Sequence, residues 1–126
     1  MQIGIVEMVE RKRCKMVGKY KVITLCGSTR FKYEFIEVQK ELTLMGYIVI
    51  SVGLFGHSGD IITEEQKVML DDMHKRKIDM ADEIFVVNKN GYIGSSTQSE
   101  IDYANEHKKP IRYLCDPNPP KQRWRR

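Results

Sequence analysis

The sequence predicts an α/β fold: a parallel sheet of four to five strands with helices on both faces. Two observations predict it. From Lys21 onward, short apolar, β-branched runs alternate with segments that carry a helical stripe or a helix-capping pattern. The intervening segments are also long enough for right-handed crossovers, and strands joined that way form a parallel sheet covered on both sides.

The first strand is Lys21-Val-Ile-Thr-Leu-Cys26, which stops at the turn Gly27-Ser-Thr-Arg30. Phe31, Phe35, Val38 and Leu42 then fall on one helical face, and Gly46 supplies the stop. Tyr47-Ile-Val-Ile-Ser51 is the second strand, followed by a loop over residues 52–62 that holds Gly53, Gly56 and Gly59. Thr63-x-x-Gln66 is a capping box that opens a helix to about Met80. Ile84-Phe-Val-Val87 is the third strand and runs into the polar loop 88–96. Thr97-x-x-Glu100 has the form of a second capping box, opening a helix through about His107. Pro110-Ile-Arg-Tyr-Leu-Cys115 is the fourth strand, and the prolines after Asp116 end regular structure. Residues 2–6 offer a further edge strand.

With 126 residues there is room for one core only. The chain divides into a basic N-terminal extension (1–19), a single domain (20–115) and a basic C-terminal tail (116–126). The net charge of +4 resides towards the two ends, in residues 1–22 and 108–126: residues 23–107 hold eight basic and fourteen acidic side chains. Basic ends can touch phosphate backbones weakly, but few aromatics are interleaved with the charges, so solvated tails are expected. No apolar run approaches a membrane span, and the N-terminal residues lack the order of a secretory signal. Three widely spaced cysteines (Cys14, Cys26, Cys115) suit a reduced, cytoplasmic compartment rather than a disulfide framework.

In a parallel sheet, ligands bind beyond the carboxyl ends of the strands, where chain order reverses. The loops expected there are 27–30, 52–62 and 88–96. Gly27, Ser28, Thr29 and Arg30 would together suit a phosphate through backbone N–H groups, hydroxyls and a guanidinium. The alternative is that Ser28 or Thr29 merely caps the helix. No G-x-G-x-x-G or P-loop is present. Ser95, Ser96 and Thr97 form a second candidate of the same kind. Glu100 shares a helix side with Tyr103, Ala104 and His107 and would point towards the ligand-binding edge. Asp71 and His74 are spaced as an acid/base pair on one helical face, and His57 lies in a loop over the expected site. His57, His74 and His107 show no metal-ligand spacing, so neither a metal nor a cofactor is expected.

Taken in order, Cys26-Gly-Ser-Thr-Arg30, Met80-Ala-Asp82-Glu-Ile-Phe-Val-Val87, Ser96-x-x-x-Glu100-Ile-x-Tyr-Ala104 and Lys109-Pro-Ile111 resemble the nucleoside 2-deoxyribosyltransferase superfamily. The layout is closest to its 2'-deoxynucleoside 5'-phosphate N-hydrolase branch, over residues 21–114. The resemblance implies a flavodoxin-like (Rossmann-like) fold, a homodimer with sites near the subunit interface, and a glutamate nucleophile at Glu100. It also implies that Ser28, Arg30 and the 95–97 loop hold a 5'-phosphate or the sugar. The chain departs from the family pattern at Thr24, His74, Ser99 and Asp102.

Three functions follow as expectations. The first is an N-glycosidase or deoxyribosyltransferase acting on a nucleoside or nucleotide, with Glu100 as nucleophile and His74 or Asp71 assisting protonation. The second is a non-catalytic nucleotide-binding module of the same fold. The third is a nucleic-acid-associated protein that uses both basic ends.

Overall fold

The computed structural model describes residues 18–56 and 61–117. The candidate edge strand at residues 2–6, residues 1–17 and 118–126 of the two ends, and His57 lie outside these residues. Four strands form one all-parallel sheet: β1 (Val22–Gly27), β2 (Ile48–Ile50), β3 (Glu83–Val87) and β4 (Ile111–Tyr113). Three helices connect them: α1 (Lys32–Leu44), α2 (Glu64–Asp79) and α3 (Ser95–Glu106). The strand order β2-β1-β3-β4 is that of a flavodoxin/Rossmann-like sheet. The chain steps from β1 to β2 on one side, then crosses back to place β3 on the other. The direction therefore reverses between β1 and β3, whose register runs from Ile23 opposite Glu83 to Gly27 opposite Val87.

Strand alternation divides the core into two layers. Ile23, Leu25 and Val87 face α1, where Phe35, Val38 and Leu42 pack onto them. Cys26, Ile84 and Val86 face the opposite side, against Ile78 of α2 and Ile101 and Ala104 of α3. Thr24 shares that second face; it is fully buried and its Oγ1 donates to the Lys77 carbonyl at 2.9 Å, tying β1 to the last turn of α2.

The helix ends follow the sequence at two places and depart from it at two. Gly46 has φ +98°, its N–H reaches the Thr43 carbonyl, and the Tyr47 N–H reaches the Leu42 carbonyl, which is a Schellman ending. Thr63 and Gln66 form the reciprocal capping box expected of them. The second capping box does not form. α3 starts at Ser95 with Gly94 as its cap and no side-chain cap bond, so Thr97 lies inside the first turn, 3% exposed. Glu100 therefore stands in the second turn, too far along to serve the helix start. The α1 cap is Phe31 rather than Ser28 or Thr29.

Beyond the sheet, Asn88 is buried and bridges the chain after β4. Its amide donates to the Cys115 carbonyl and accepts from the Cys115 N–H, both at 2.8 Å. Among the described residues, no helix is long and apolar enough to cross a membrane.

Candidate active site

A cleft of about 540 Å³ opens at the carboxyl ends of β1, β2 and β3, at the point where strand order reverses. All three loops expected there contribute to it. Gly27, Ser28, Thr29 and Arg30 line it after β1, Val52 and Leu54 after β2, and Tyr92, Gly94, Ser95, Ser96 and Thr97 after β3. Asp71, His74 and Lys77 of α2 and Glu100 of α3 complete the wall. Of the candidate residues, only His57 lies outside the described chain.

Glu100 is brought to the cleft because α3 packs through Ile101 and Ala104 on the sheet, which turns the preceding residue towards β1. Its side chain is only 12% exposed. A smaller cavity of about 210 Å³, lined by Asp71, Lys75, Ser99 and the Ser95–Ser96 turn, also reaches this carboxyl. Burial raises the Glu100 pKa to about 7, with Asp71 adding to the rise. A hydrogen bond from the Cys26 thiol, together with Lys75 and Lys67, opposes it. Cys26 is itself fully buried, and burial and then the Glu100 charge push its thiol well above the ordinary range.

His74 stands next to them, with Nε2 3.9 Å from Glu100 Oε1. Burial, then the charge of Lys77, lowers its pKa to about 4, against a hydrogen bond to the Leu25 backbone and the nearby Asp71. At neutral pH the imidazole is uncharged, so it has no imidazolium proton to give. Asp71, the other half of the expected pair, is exposed and lies 3.4 Å from the Lys67 ammonium. The two therefore occupy different environments, one buried against β1 and the other open to solvent.

Arg30, which lines the same cleft, is held in place by two contacts. Its Nε donates to Ser28 Oγ at 3.2 Å, and its guanidinium lies over the Tyr92 ring, 4.4 Å from the centroid. Phe31 meets the same ring edge-on at 6.0 Å. Lys77 reaches the Ser51 carbonyl at 2.8 Å, which ties α2 to the end of β2. The arrangement offers an anion a guanidinium, hydroxyls and helix-start amides, with a buried carboxylate in the same cleft.

Compared with family models, with curated proteins and with solved structures, the chain finds no match.

Two residues of this site escape a reading of the sequence. Tyr92 is one aromatic in a polar loop, and nothing local says that it carries Arg30. Cys26 reads as the apolar end of a buried strand. Its one signal is its place immediately before the Gly27 turn, where a β1 side chain meets the ligand edge.

The two shifted groups pull stability in opposite directions. Glu100 holds its proton more tightly folded than unfolded, so its contribution is full below pH 4.5 and is lost as pH rises to about 7. His74 holds its proton less tightly folded, so its contribution is full above pH 6.5 and is lost as pH falls to about 4. Measured against the unsubstituted protein, Glu100→Gln should gain stability as pH rises through the first window. His74→Gln should lose it as pH rises through the second. Each change should amount to roughly 3 kcal/mol at 1.36 kcal/mol per pH unit. Urea unfolding across this range in EDTA checks both signs, and parallel curves for the three proteins would refute them.

Proposed function

We propose that this protein cleaves the N-glycosidic bond of a nucleoside or nucleoside 5'-monophosphate, as a glycosidase or deoxyribosyltransferase. The observation that carries the reading is Glu100: a buried carboxyl on the wall of a cleft that also holds an anchored guanidinium and two helix-start loops. The resemblance of the four motifs to nucleoside 2-deoxyribosyltransferases supports the same role for Glu100.

In this reading the ionised Glu100 oxygen attacks C1' of the sugar. The C1'–N bond breaks, and its electron pair leaves with the base, which takes up a proton. The resulting glycosyl ester on Glu100 is opened by water in a hydrolase or by a second base in a transferase, with net retention. Asp71 is the carboxyl placed to handle the leaving-group proton, because it lines the cleft and remains open to solvent. Burial serves the nucleophile: a poorly solvated carboxylate is a stronger base and attacks without first shedding water. Ser28, Arg30, Ser95 and Ser96 take the 5'-phosphate or the sugar, using the N-terminus of α3 as an anion cradle. In the resemblance the protein is a homodimer, and the exposed Met69 and Met73 of α2, the second of them lining the cleft, would form part of its surface.

The test is incubation with each nucleoside and deoxynucleoside and with their 5'-monophosphates, followed by chromatography for free base. Release should require an ionised Glu100, so kcat/KM in EDTA should climb with pH through about 7. The groups facing that carboxyl are Cys26 of β1 and His74, Asp71, Lys67 and Lys75 of α2; His74, lowered to about 4 by burial, is already neutral where Glu100 ionises. Tight nucleotide binding without release from any substrate would instead make the chain a binding module.

A further inference from the structure

Three donor atoms of different kinds converge at the floor of the cleft. The Cys26 sulfur, a ring nitrogen of His74 and a carboxylate oxygen of Glu100 all lie within 4.8 Å of one another. They come from three separate elements, β1, α2 and α3. His74 supplies the decisive detail. It is only 7% exposed, and its Nε2 is buried with no hydrogen-bond partner. A buried polar nitrogen left unpaired costs free energy that a structure normally avoids.

The orientation of the ring says what would satisfy it. The imidazole hydrogen-bonds the Leu25 backbone, which occupies Nδ1 as donor and leaves a lone pair on Nε2. Nε2 lies 3.9 Å from Glu100 Oε1, in the cluster that also holds the Cys26 sulfur. A ligand imidazole whose second nitrogen is fixed by a backbone group is the usual support arrangement of a metal-binding histidine.

We propose that Cys26, His74 and Glu100 bind a single divalent cation of the zinc class. A thiolate, an imidazole and a carboxylate are the ligand types zinc takes, at roughly 2.0–2.3 Å each. A tetrahedral centre with those bond lengths separates its donors by roughly 3.2–3.8 Å. The His74–Glu100 pair is therefore already near the required spacing, and the Cys26 sulfur, within 4.8 Å of both, has to close by about 1 Å at most to reach the upper end of it. The thiolate and carboxylate together neutralise the ion, and the thiol proton passes to solvent on binding. The fourth position opens to the cleft, through which the ion enters. Magnesium and calcium, which demand several hard oxygen ligands, are excluded by the sulfur and nitrogen.

Metal binding has a consequence that rests on the reading of Glu100 as nucleophile. A carboxylate held by zinc cannot attack a sugar, so zinc occupancy and base release exclude each other.

The test uses the full chain, stripped with EDTA and then titrated with cobalt(II) as the spectroscopic probe. One equivalent should produce a thiolate-to-cobalt charge-transfer band together with the visible bands of a tetrahedral centre. Competition against a chromophoric chelator should give one zinc site, weakened at least tenfold in Cys26→Ser and in His74→Gln and unchanged by magnesium. Cys14→Ser and His57→Ala should bind as the unsubstituted protein does. Absence of the cobalt band from the unsubstituted protein overturns the site, whatever the variants' folding, and so does zinc affinity that survives in both folded ligand variants. The cobalt spectrum decides this whether or not the protein releases base. If it does release base, zinc should stop the release and EDTA restore it; unchanged release at saturating zinc would overturn the exclusion while leaving the site intact.

Discussion

Glu100→Gln is expected to lower base release by at least roughly ten-thousand-fold, since loss of a covalent nucleophile can cost about a million-fold. The substitution keeps the side chain's volume and its place against Cys26 and His74 but removes the anionic oxygen. Substrate affinity should change far less, because Arg30, Ser28 and the first residues of α3, which line the same cleft, are left as they are. The variant should also be the more stable protein at alkaline pH, by roughly 3 kcal/mol, since it no longer forces a charge into a buried site. Base release and urea unfolding measured on the same preparation check both halves. A variant that keeps a tenth or more of the activity would remove Glu100 from the chemistry. A variant that is inactive because it is unfolded would show it in the second measurement.

Gly27→Ala is expected to cost about 4 kcal/mol and to deform the cleft. Gly27 ends β1 at φ +151°, a backbone conformation that side chains rarely adopt. A Cβ there would lie 2.7 Å from the Val87 carbonyl oxygen and 3.2 Å from the Val87 Cβ. The first neighbour is backbone of the adjacent central strand, so relief requires β1 and β3 to part. Strain of about 1–2 kcal/mol and overlap of about 1–3 kcal/mol add. Gly46→Ala separates the two contributions. Its φ of +98° carries the same kind of backbone cost, but nothing lies within 4 Å of the added carbon. It should lose about 1–2 kcal/mol. Chemical denaturation of both variants gives the comparison, and equal losses would mean that the close approach of β1 to β3 contributes nothing.

How much of this was legible in the chain depends on whether each signal is local. The β-branched runs, the Phe35–Val38–Leu42 stripe, the Gly46 stop and the Thr63–Gln66 box all act within a few residues, and each does in the structure what its pattern says. Thr97 and Glu100 carry the same box pattern without forming one. α3 begins three residues earlier, at Ser95 with Gly94 as cap, because Thr97 is buried in the packed first turn. A capping pattern states that a helix can start there; burial chooses where it does. Asp71 and His74 likewise have the spacing of a pair, but the packing of α2 on β1 buries one and leaves the other in solvent.

The sequence by itself therefore determined the alternating α/β order and the three loops that meet at the ligand edge, since periodicity and turn chemistry are short-range. Only the tertiary structure decided that residues 26, 74 and 100 meet within 4.8 Å, and that Glu100 titrates near 7 and His74 near 4. Convergence of three separate elements and the removal of water from a side chain are properties of the packed whole, and no window of sequence contains them.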